Sequence, residues 1–331
     1  SLLRSCLESV RNRDIDFVVV NTRFYLHSLI GLTFARQMGI RPLLIEHGSA
    51  HLTMGGGALD RIVAVYEHVI TCFVKHADPA FYAVSSAGCR WLRHFGIESS
   101  GVLSNSIDAD LFRSISSKRD FRSELGIGEG TLLVSSVGRL VPEKGVMCVL
   151  RAACDLSDVD VHFILAGDGP LRAEVEDCGC LNVTYVGRLS EEDVSALLAS
   201  ADVFCLPSRS EGFATSLLEC AACAAVPIVT HVGGVDELIP DESFGCVIDG
   251  MDPALVANSV RELAADRDNL GRMADNLKRR VEEGFSWRKT AVKVERACMQ
   301  ANCVGSVGIS DGVLEGSRRD DAVMAKKNEG E

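Results

Sequence analysis

The chain has 331 residues, a formal net charge of −12 and 47% hydrophobic residues. A chain of this length can build two domains with separate cores, and no apolar run approaches the roughly eighteen residues that a membrane-spanning helix needs. The acidic balance argues against nucleic acid as a partner. No signal-peptide pattern is visible, so we expect a cytoplasmic protein.

The thirteen cysteines are scattered singly through apolar runs, as at Cys148. This distribution is typical of reduced thiols that pack as small hydrophobic side chains. The close pairs Cys178/Cys180 and Cys220/Cys223 lack a second ligand pair at zinc spacing, so the same packing role is predicted for them.

The first part of the chain alternates strand and helix patterns. Apolar periodicity predicts a helix from Leu2 to Val10. After it, strands and helices are predicted in the order βαβαβ, followed by a short helix, over residues 16–20, 28–39, 42–48, 58–76, 81–85 and 86–95. This order predicts a parallel, doubly wound α/β sheet.

Turn-forming residues dominate from Ser104 to Phe112, and we place the domain boundary there, so that residues 1–112 form the first domain. A second domain is predicted over residues 113–285. Its strands are expected at 131–140, 161–170, 182–189, 201–206, 226–230 and 244–249. A closing helix is predicted over 286–303, and the polar, aperiodic residues 304–331 are predicted to be disordered.

The stretch from Pro207 to Glu219 carries the strongest functional signal. An apolar strand pattern ends at Leu206, and Glu211 stands in the turn before the next helix pattern. In open α/β sheets, ligands bind beyond the carboxyl ends of the strands, where helix N-terminal amides favour anions. Glu219 lies about 12 Å further along the helix axis. The two acids could hold the ends of an elongated ligand with a negative middle; a solvated helix with a capping acid is the plainer alternative.

This arrangement resembles the E-x7-E motif of retaining glycosyltransferases with the GT-B fold, in particular family 4. The resemblance implies that Glu211 approaches the donor sugar and that Glu219 holds the ribose of the nucleotide. It also implies that the Gly212 and Phe213 amides contact sugar hydroxyls. It covers nearly the whole chain, most clearly residues 134–248, and implies two Rossmann-like domains.

Two cations follow the first strand pattern of the second domain, at Arg139 and Lys144. A nucleotide diphosphate brings about two to three negative charges, which fixed cations and helix-start amides can neutralise. Isolated loop cations are usually just solvated, but the family's G-R-x-x-x-x-K-G pattern matches here and implies contacts with the diphosphate. The resemblance also places Gly167, in Gly-Asp-Gly-Pro, beside the nucleotide, and Leu189 at its base.

His47 comes directly after a strand pattern. The resemblance implies that it approaches the transferred sugar from the opposite domain; an exposed polar residue at a strand end is the alternative. His47 and His51 have the spacing of a metal pair, but a glycine lies between them and no third ligand is close in sequence, so zinc is not predicted. The Asp-x-Asp sequences starting at Asp14, Asp108 and Asp158 do not follow strands, so no metal cofactor is predicted.

The resemblance implies transfer of a sugar from a nucleotide-diphosphate donor to a saccharide or lipid-linked acceptor, with retention of anomeric configuration. Cell-surface polysaccharide or glycolipid synthesis is the implied setting, with peripheral contact at the inner face of the membrane. Asn105, Asp108 and Phe112 match the family's interdomain segment. Family members carry further βα units before the equivalent of Ser1, which implies an incomplete first domain.

Two alternatives remain from the sequence. One is a catalytically inactive fragment that binds a nucleotide sugar. The other is a dinucleotide-dependent oxidoreductase, which is disfavoured because no G-x-G-x-x-G follows a first strand.

Overall fold

The computed structural model describes residues 13–52 and 57–303. Its first part contains a parallel three-stranded sheet in the order β1-β2-β3. The strands are β1 (Val19–Asn21), β2 (Leu43–Glu46) and β3 (Ala80–Ala83), and the helices are α1 (Leu26–Gln37), α2 (Ala58–His76) and α3 (Ser86–His94). The predicted βαβαβ order is confirmed. The helix predicted at 2–10 and the tail predicted at 304–331 lie outside the described residues.

The second part contains a parallel six-stranded sheet in the order β6-β5-β4-β7-β8-β9. Its strands are β4 (Leu132–Val137), β5 (Val161–Ala166), β6 (Val183–Tyr185), β7 (Val203–Leu206), β8 (Val226–Thr230) and β9 (Cys246–Ile248). This is a doubly wound order, in which the direction of winding reverses between β4 and β7. All positions of β7 and β8 are buried, as expected for a parallel sheet covered on both faces.

Helices cover both faces of the second sheet and extend beyond it. They are α4 (Ala109–Ser114), α5 (Phe121–Leu125), α6 (Val146–Cys154), α7 (Arg172–Glu176), α8 (Glu191–Ser200), α9 (Thr215–Ala222), α10 (Val235–Leu238), α11 (Pro253–Ala265), α12 (Arg267–Gly284) and α13 (Trp287–Cys303). In α4, Arg113 donates a hydrogen bond to the Ala222 carbonyl, and Phe112 accepts one from the Ser195 hydroxyl. These contacts join α4 to α8 and α9, while the domain boundary at residue 112 stays a prediction.

Helix α13 carries the chain back to the first domain. Ala297 and Ala301 are buried in the same apolar cluster as Leu43 and Tyr82 of the first sheet. Near its start, the Thr290 and Ser106 hydroxyls lie 2.5 Å apart. The closing helix therefore joins the two domains.

One cysteine prediction is wrong. Cys154 at the end of α6 forms a disulfide with Cys180, 26 residues further on, so not all thiols are reduced. The two cysteines are far apart in sequence, so no local pattern indicated the bond. They meet because α6 packs against the β5–β6 connection. Cys178, Cys220 and Cys223 are free, as predicted.

Helix α2 exposes an unusual number of apolar side chains. Ile62, Val65 and Phe73 are each more than 60% exposed. Contiguous apolar surface of this kind marks an interaction site more often than an ordinary surface. None of the helices in the described part of the chain is long and apolar enough to cross a membrane.

Candidate active site

The loop after β4 brings its cations to the switch point of the second sheet. Arg139 follows the strand by two residues, and the loop closes in a short 3-10 turn over Pro142–Lys144 before α6. Arg139, Gly167 and Leu189 all line one pocket of about 610 Å³, together with Asp168 and Arg188. We call this the Arg139 pocket; three of the predicted donor-binding residues meet there.

The glycine at position 167 is required by the approach of two strand-end loops. Its φ is +149°, and a Cβ atom there would lie 1.8 Å from the Gly138 carbonyl oxygen. No side chain fits without moving the backbone after β4. Gly167 therefore keeps the β4 and β5 loops close enough to form one pocket wall.

Lys144 and Glu211 form an ion pair across the switch point. Lys144 Nζ lies 2.5 Å from Glu211 Oε1, and the two side chains are 21% and 13% exposed. The loops that carry them are also joined by a hydrogen bond from the Arg209 amide to the Glu143 carbonyl, at 2.8 Å. The structure thus places the predicted diphosphate cation directly against the predicted sugar-facing carboxylate.

Glu219 lies on α9 and is partly buried. No hydrogen bond or ion pair joins its carboxylate to another of the described residues. Burial raises the pKa of this carboxyl, and the neighbouring Glu191 carboxylate raises it further. Glu191 begins α8, the helix that contributes Val194 to the Arg139 pocket. Glu219 therefore retains hydrogen-bonding capacity for a ligand hydroxyl.

His47 lies at the carboxyl end of β2 in the first domain. Its Nε2 is 2.9 Å from the Asn21 amide oxygen at the end of β1. Partial burial lowers the pKa of His47 from 6.5, while the Glu46 carboxylate opposes this by raising it. The imidazole is therefore mainly neutral at neutral pH, with Nε2–H donating to Asn21.

The loops after β2 and β7 touch each other, so the carboxyl edges of the two sheets face one another. A Cβ atom on Gly212 would lie 1.7 Å from the His47 carbonyl oxygen. The Ser49 hydroxyl donates a hydrogen bond to the Glu211 carbonyl. Gly212 thus allows the Glu211 loop of one domain to contact the His47 loop of the other.

Phe213 is mostly a packing residue in this arrangement. Its side chain is 5% exposed, and its ring lies 5.7 Å from that of Phe285. Its carbonyl accepts a hydrogen bond of 2.9 Å from the Asn105 side chain, which belongs to the interdomain segment. The sugar-contacting role expected of the Phe213 amide stays a prediction.

Sequence reasoning missed three residues at this site. Arg188 adds a second guanidinium to the Arg139 pocket, and it is the residue before Leu189 in the same segment. Ser49 joins the histidine loop to the Glu211 loop, and Asn21 orients His47. The contact between Asn21 and His47 could have been predicted, because both residues lie at the ends of adjacent strands.

The largest of the described cavities lies elsewhere. It has about 710 Å³ and is lined by residues of α12 and α13, including Arg280 and Lys293, and by Ser104. It contains none of the predicted site residues and lies away from the β4 and β7 strand ends. The smaller Arg139 pocket is the better candidate, since it lies at the topological switch point.

Residues 117–280 match the model of a family described as glycosyl transferases group 1. The chain is 31% identical over 234 residues to a GDP-mannose-dependent alpha-(1-6)-phosphatidylinositol monomannoside mannosyltransferase of Mycobacterium tuberculosis, covering 66% of this chain and 60% of the relative. It is 29% identical over 214 residues to a D-inositol 3-phosphate glycosyltransferase of Paenarthrobacter aurescens, covering 60% and 51%. The chain spans about half the length of the curated relatives it matches.

Solved structures share the fold at low sequence identity. HepE of Anabaena, crystallised with UDP, superposes with a TM-score of 0.71 at 18% identity, covering 90% of this chain and 82% of that one. Sucrose-phosphate synthase of Thermosynechococcus elongatus gives 0.70 at 20% identity, covering 91% and 78%. These likenesses confirm the predicted architecture of two Rossmann-like domains.

Proposed function

Because residues 117–280 match the model of the glycosyl transferases group 1 family and the fold is GT-B, we propose that the chain transfers a sugar from a nucleotide-diphosphate donor to a saccharide or lipid-linked acceptor with retention of anomeric configuration. The setting that we propose is the synthesis of a cell-surface polysaccharide or glycolipid. The named relatives include an enzyme that depends on GDP-mannose, and HepE was crystallised with UDP.

The convergence of charged residues at the β4/β7 switch point carries this proposal. Arg139 lines a pocket of about 610 Å³, and Lys144 and Glu211 meet beside the same strand ends. Such an edge suits a ligand with an anionic centre, since the two cations can neutralise a diphosphate. Donor binding is therefore assigned to Arg139, Lys144, Gly167, Leu189, Gly212, Phe213 and Glu219.

In the proposed reaction, the leaving diphosphate gains negative charge as the bond to the anomeric carbon breaks. Arg139 and Lys144 stabilise that charge, and they matter most in the transition state. Lys144 has to turn from Glu211 towards the phosphates, which releases Glu211 to orient the sugar. His47 faces the sugar from the first domain, and contact between the two loops excludes water. Charge neutralisation is assigned to side chains, with no metal cofactor.

A lipid-linked acceptor would bring the enzyme to the inner face of the membrane. The exposed apolar side chains of α2 are the surface that we assign to this peripheral contact. An apolar helix face can lie in the boundary between headgroups and acyl chains without spanning the bilayer. Sedimentation with acidic lipid vesicles, compared between the parent and Phe73→Asp, tests the assignment; equal sedimentation would contradict it.

A two-stage experiment tests the proposed activity. First, thermal unfolding is measured with UDP, GDP, their sugar conjugates and nicotinamide cofactors; a ligand at one hundred times its Kd stabilises by about 2.7 kcal/mol. Second, release of labelled sugar from the stabilising donor is followed with and without acceptor. Stabilisation and sugar release are expected. Stabilisation without release would favour an inactive sugar-nucleotide binder, and stabilisation only by nicotinamide cofactors would contradict the proposal.

A further inference from the structure

Three histidines from separate elements of the first domain meet in space. They are His51 in the loop after β2, His68 in the middle of α2 and His94 at the end of α3. One nitrogen from each ring lies within 4.8 Å of the others. The ring centres are 5.2 to 5.7 Å apart. We call this the His51 cluster.

We propose that the His51 cluster binds one divalent transition-metal ion, with Zn²⁺ as the preferred ion. Imidazole nitrogens suit Zn²⁺, Co²⁺, Ni²⁺ and Cu²⁺, whereas Mg²⁺ and Ca²⁺ prefer oxygen ligands. Zn–N bonds are about 2.0–2.1 Å, so tetrahedral ligands lie about 3.4 Å apart. Small side-chain rotations would close the cluster to that size. His68 and His94 are exposed, which leaves a fourth position for water.

A buried carboxylate supports His51 from behind. Glu67 is fully buried, and its Oε2 lies 3.2 Å from His51 Nδ1 while its Oε1 accepts a hydrogen bond from the Leu52 amide. An ionised carboxylate only accepts hydrogen bonds, so Nδ1 carries the proton and Nε2 is free to coordinate. Metal-bound histidines are commonly oriented by such a carboxylate, which also strengthens the ligand.

Arg23 lies behind Glu67 and fixes its position. The Arg23 guanidinium lies 2.6 Å from Glu46 and 3.0 Å from Glu67, and all three side chains are fully buried. This buried ion-pair network holds in place the carboxylate that orients His51.

The other two imidazoles are available for coordination. Neither His68 nor His94 makes a hydrogen bond to another residue in the described part of the chain. Trp91 stacks on His94 with 4.9 Å between the ring centres and 5° between the planes. This contact holds the ring in place without occupying its nitrogens.

The ion would fasten the loop after β2 to α2 and α3. That loop also carries His47 and Ser49, and the Ser49 hydroxyl contacts the Glu211 carbonyl. The ion is thus structural, separate from Arg139 and Lys144. The sequence argument against zinc rested on the pair His47 and His51, but His47 faces Asn21 instead. The partners of His51 come from helices that are distant in sequence.

Metal titration of the full chain tests the proposal without any sugar donor, so its outcome is independent of the proposed function. One Zn²⁺ per chain is expected by competition with a chromophoric chelator. His68→Gln and His94→Gln should each weaken binding at least tenfold. His76→Gln is the matched control, because His76 is an exposed histidine on the same helix with its Nδ1 directed at the Cys72 carbonyl. It should bind as the parent does.

Tryptophan fluorescence locates the ion. The chain has two tryptophans, so Trp287→Phe leaves Trp91 as the single reporter. Co²⁺ should quench Trp91 in this background and should fail to do so once His94→Gln is added. The proposal is overturned if the parent binds no Zn²⁺, as expected if His51 served only as a hydrogen-bond partner of Glu67. It is equally overturned if the His68 and His94 variants bind like the parent, which would indicate cysteine ligands.

Discussion

Replacing the two partners of the Lys144–Glu211 pair separately should have different effects on nucleotide binding. In the unliganded protein, the two groups neutralise each other at 2.5 Å. In the proposed function, a nucleoside diphosphate has to draw Lys144 towards its phosphates. Lys144→Met removes the attracted cation, whereas Glu211→Gln removes the group that competes for it. Only the first change should weaken binding.

The expected magnitudes follow from the charge and exposure of the pair. A hydrogen bond to a charged group contributes about 1.5–3 kcal/mol, so Lys144→Met should raise the Kd of the bare nucleoside diphosphate by about 10- to 150-fold. An exposed ion pair contributes up to about 1 kcal/mol. This pair is only 13–21% exposed, so releasing Lys144 by Glu211→Gln should leave Kd unchanged or tighten it by about fivefold or more.

Isothermal titration of UDP and GDP, followed by transfer rates with the better donor, measures both effects. Glu211→Gln should slow transfer strongly while it preserves binding. Lys118→Met, which removes an exposed lysine outside the Arg139 pocket, is the control and should change neither quantity. If Glu211→Gln weakens binding as much as Lys144→Met does, the roles assigned to the pair are wrong. Unchanged binding in Lys144→Met would refute the diphosphate contact.

Three further changes test neighbouring parts of the account. Glu219→Gln should raise the melting temperature of the unliganded protein at pH 7. Burial raises the pKa of the Glu219 carboxyl, so ionising this group costs stability as the pH rises above 4.5. The same change should weaken nucleotide binding. Gly212→Ala should lower the transfer rate by about a hundredfold, since its Cβ would displace the His47 loop. Burial lowers the pKa of His47 and His162, so below pH 6.5 these histidines bind protons more readily in the unfolded chain than in the folded one. The free energy of unfolding should therefore fall as the pH drops below 6.5.

A specific result would contradict each of these three predictions. The stability gain of Glu219→Gln should shrink as the pH falls towards 4.5; a gain independent of pH would point to packing instead of charge. Gly271→Ala is the control for Gly212→Ala, because a Cβ at Gly271 meets nothing within 4 Å. Urea unfolding at pH 7.5 and 5.5 tests the histidines. An unchanged pH dependence in the double variant His47→Gln, His162→Gln would exclude them as its source.

The sequence predicted the strand-end positions of the site because the pattern is local. Buried β7 ends at Leu206, and Glu211 follows in the turn, as the apolar run indicated. The same holds for Arg139 and Lys144. They lie in the loop between β4 and α6, and both of these elements could be predicted from apolar periodicity. Parallel pairing then brings these strand ends to one edge.

The contacts between distant segments could not be predicted in the same way. The ion pair of Lys144 with Glu211 depends on side-chain directions that no local pattern encodes. The disulfide of Cys154 with Cys180 depends on how α6 packs, and the contact of Arg113 with Ala222 depends on where α4 docks. Phe213 was singled out for its backbone amide, but its ring proved to be part of the core.

A crystal structure of the full chain soaked with UDP or GDP tests the central claim most directly. The account predicts the diphosphate at the Arg139 pocket, with its oxygens within hydrogen-bonding distance of Arg139 and Lys144 and the ribose hydroxyls on Glu219. A nucleotide bound instead in the larger cavity beside Arg280 and Lys293, or no bound nucleotide at concentrations far above those in the thermal assay, would contradict it.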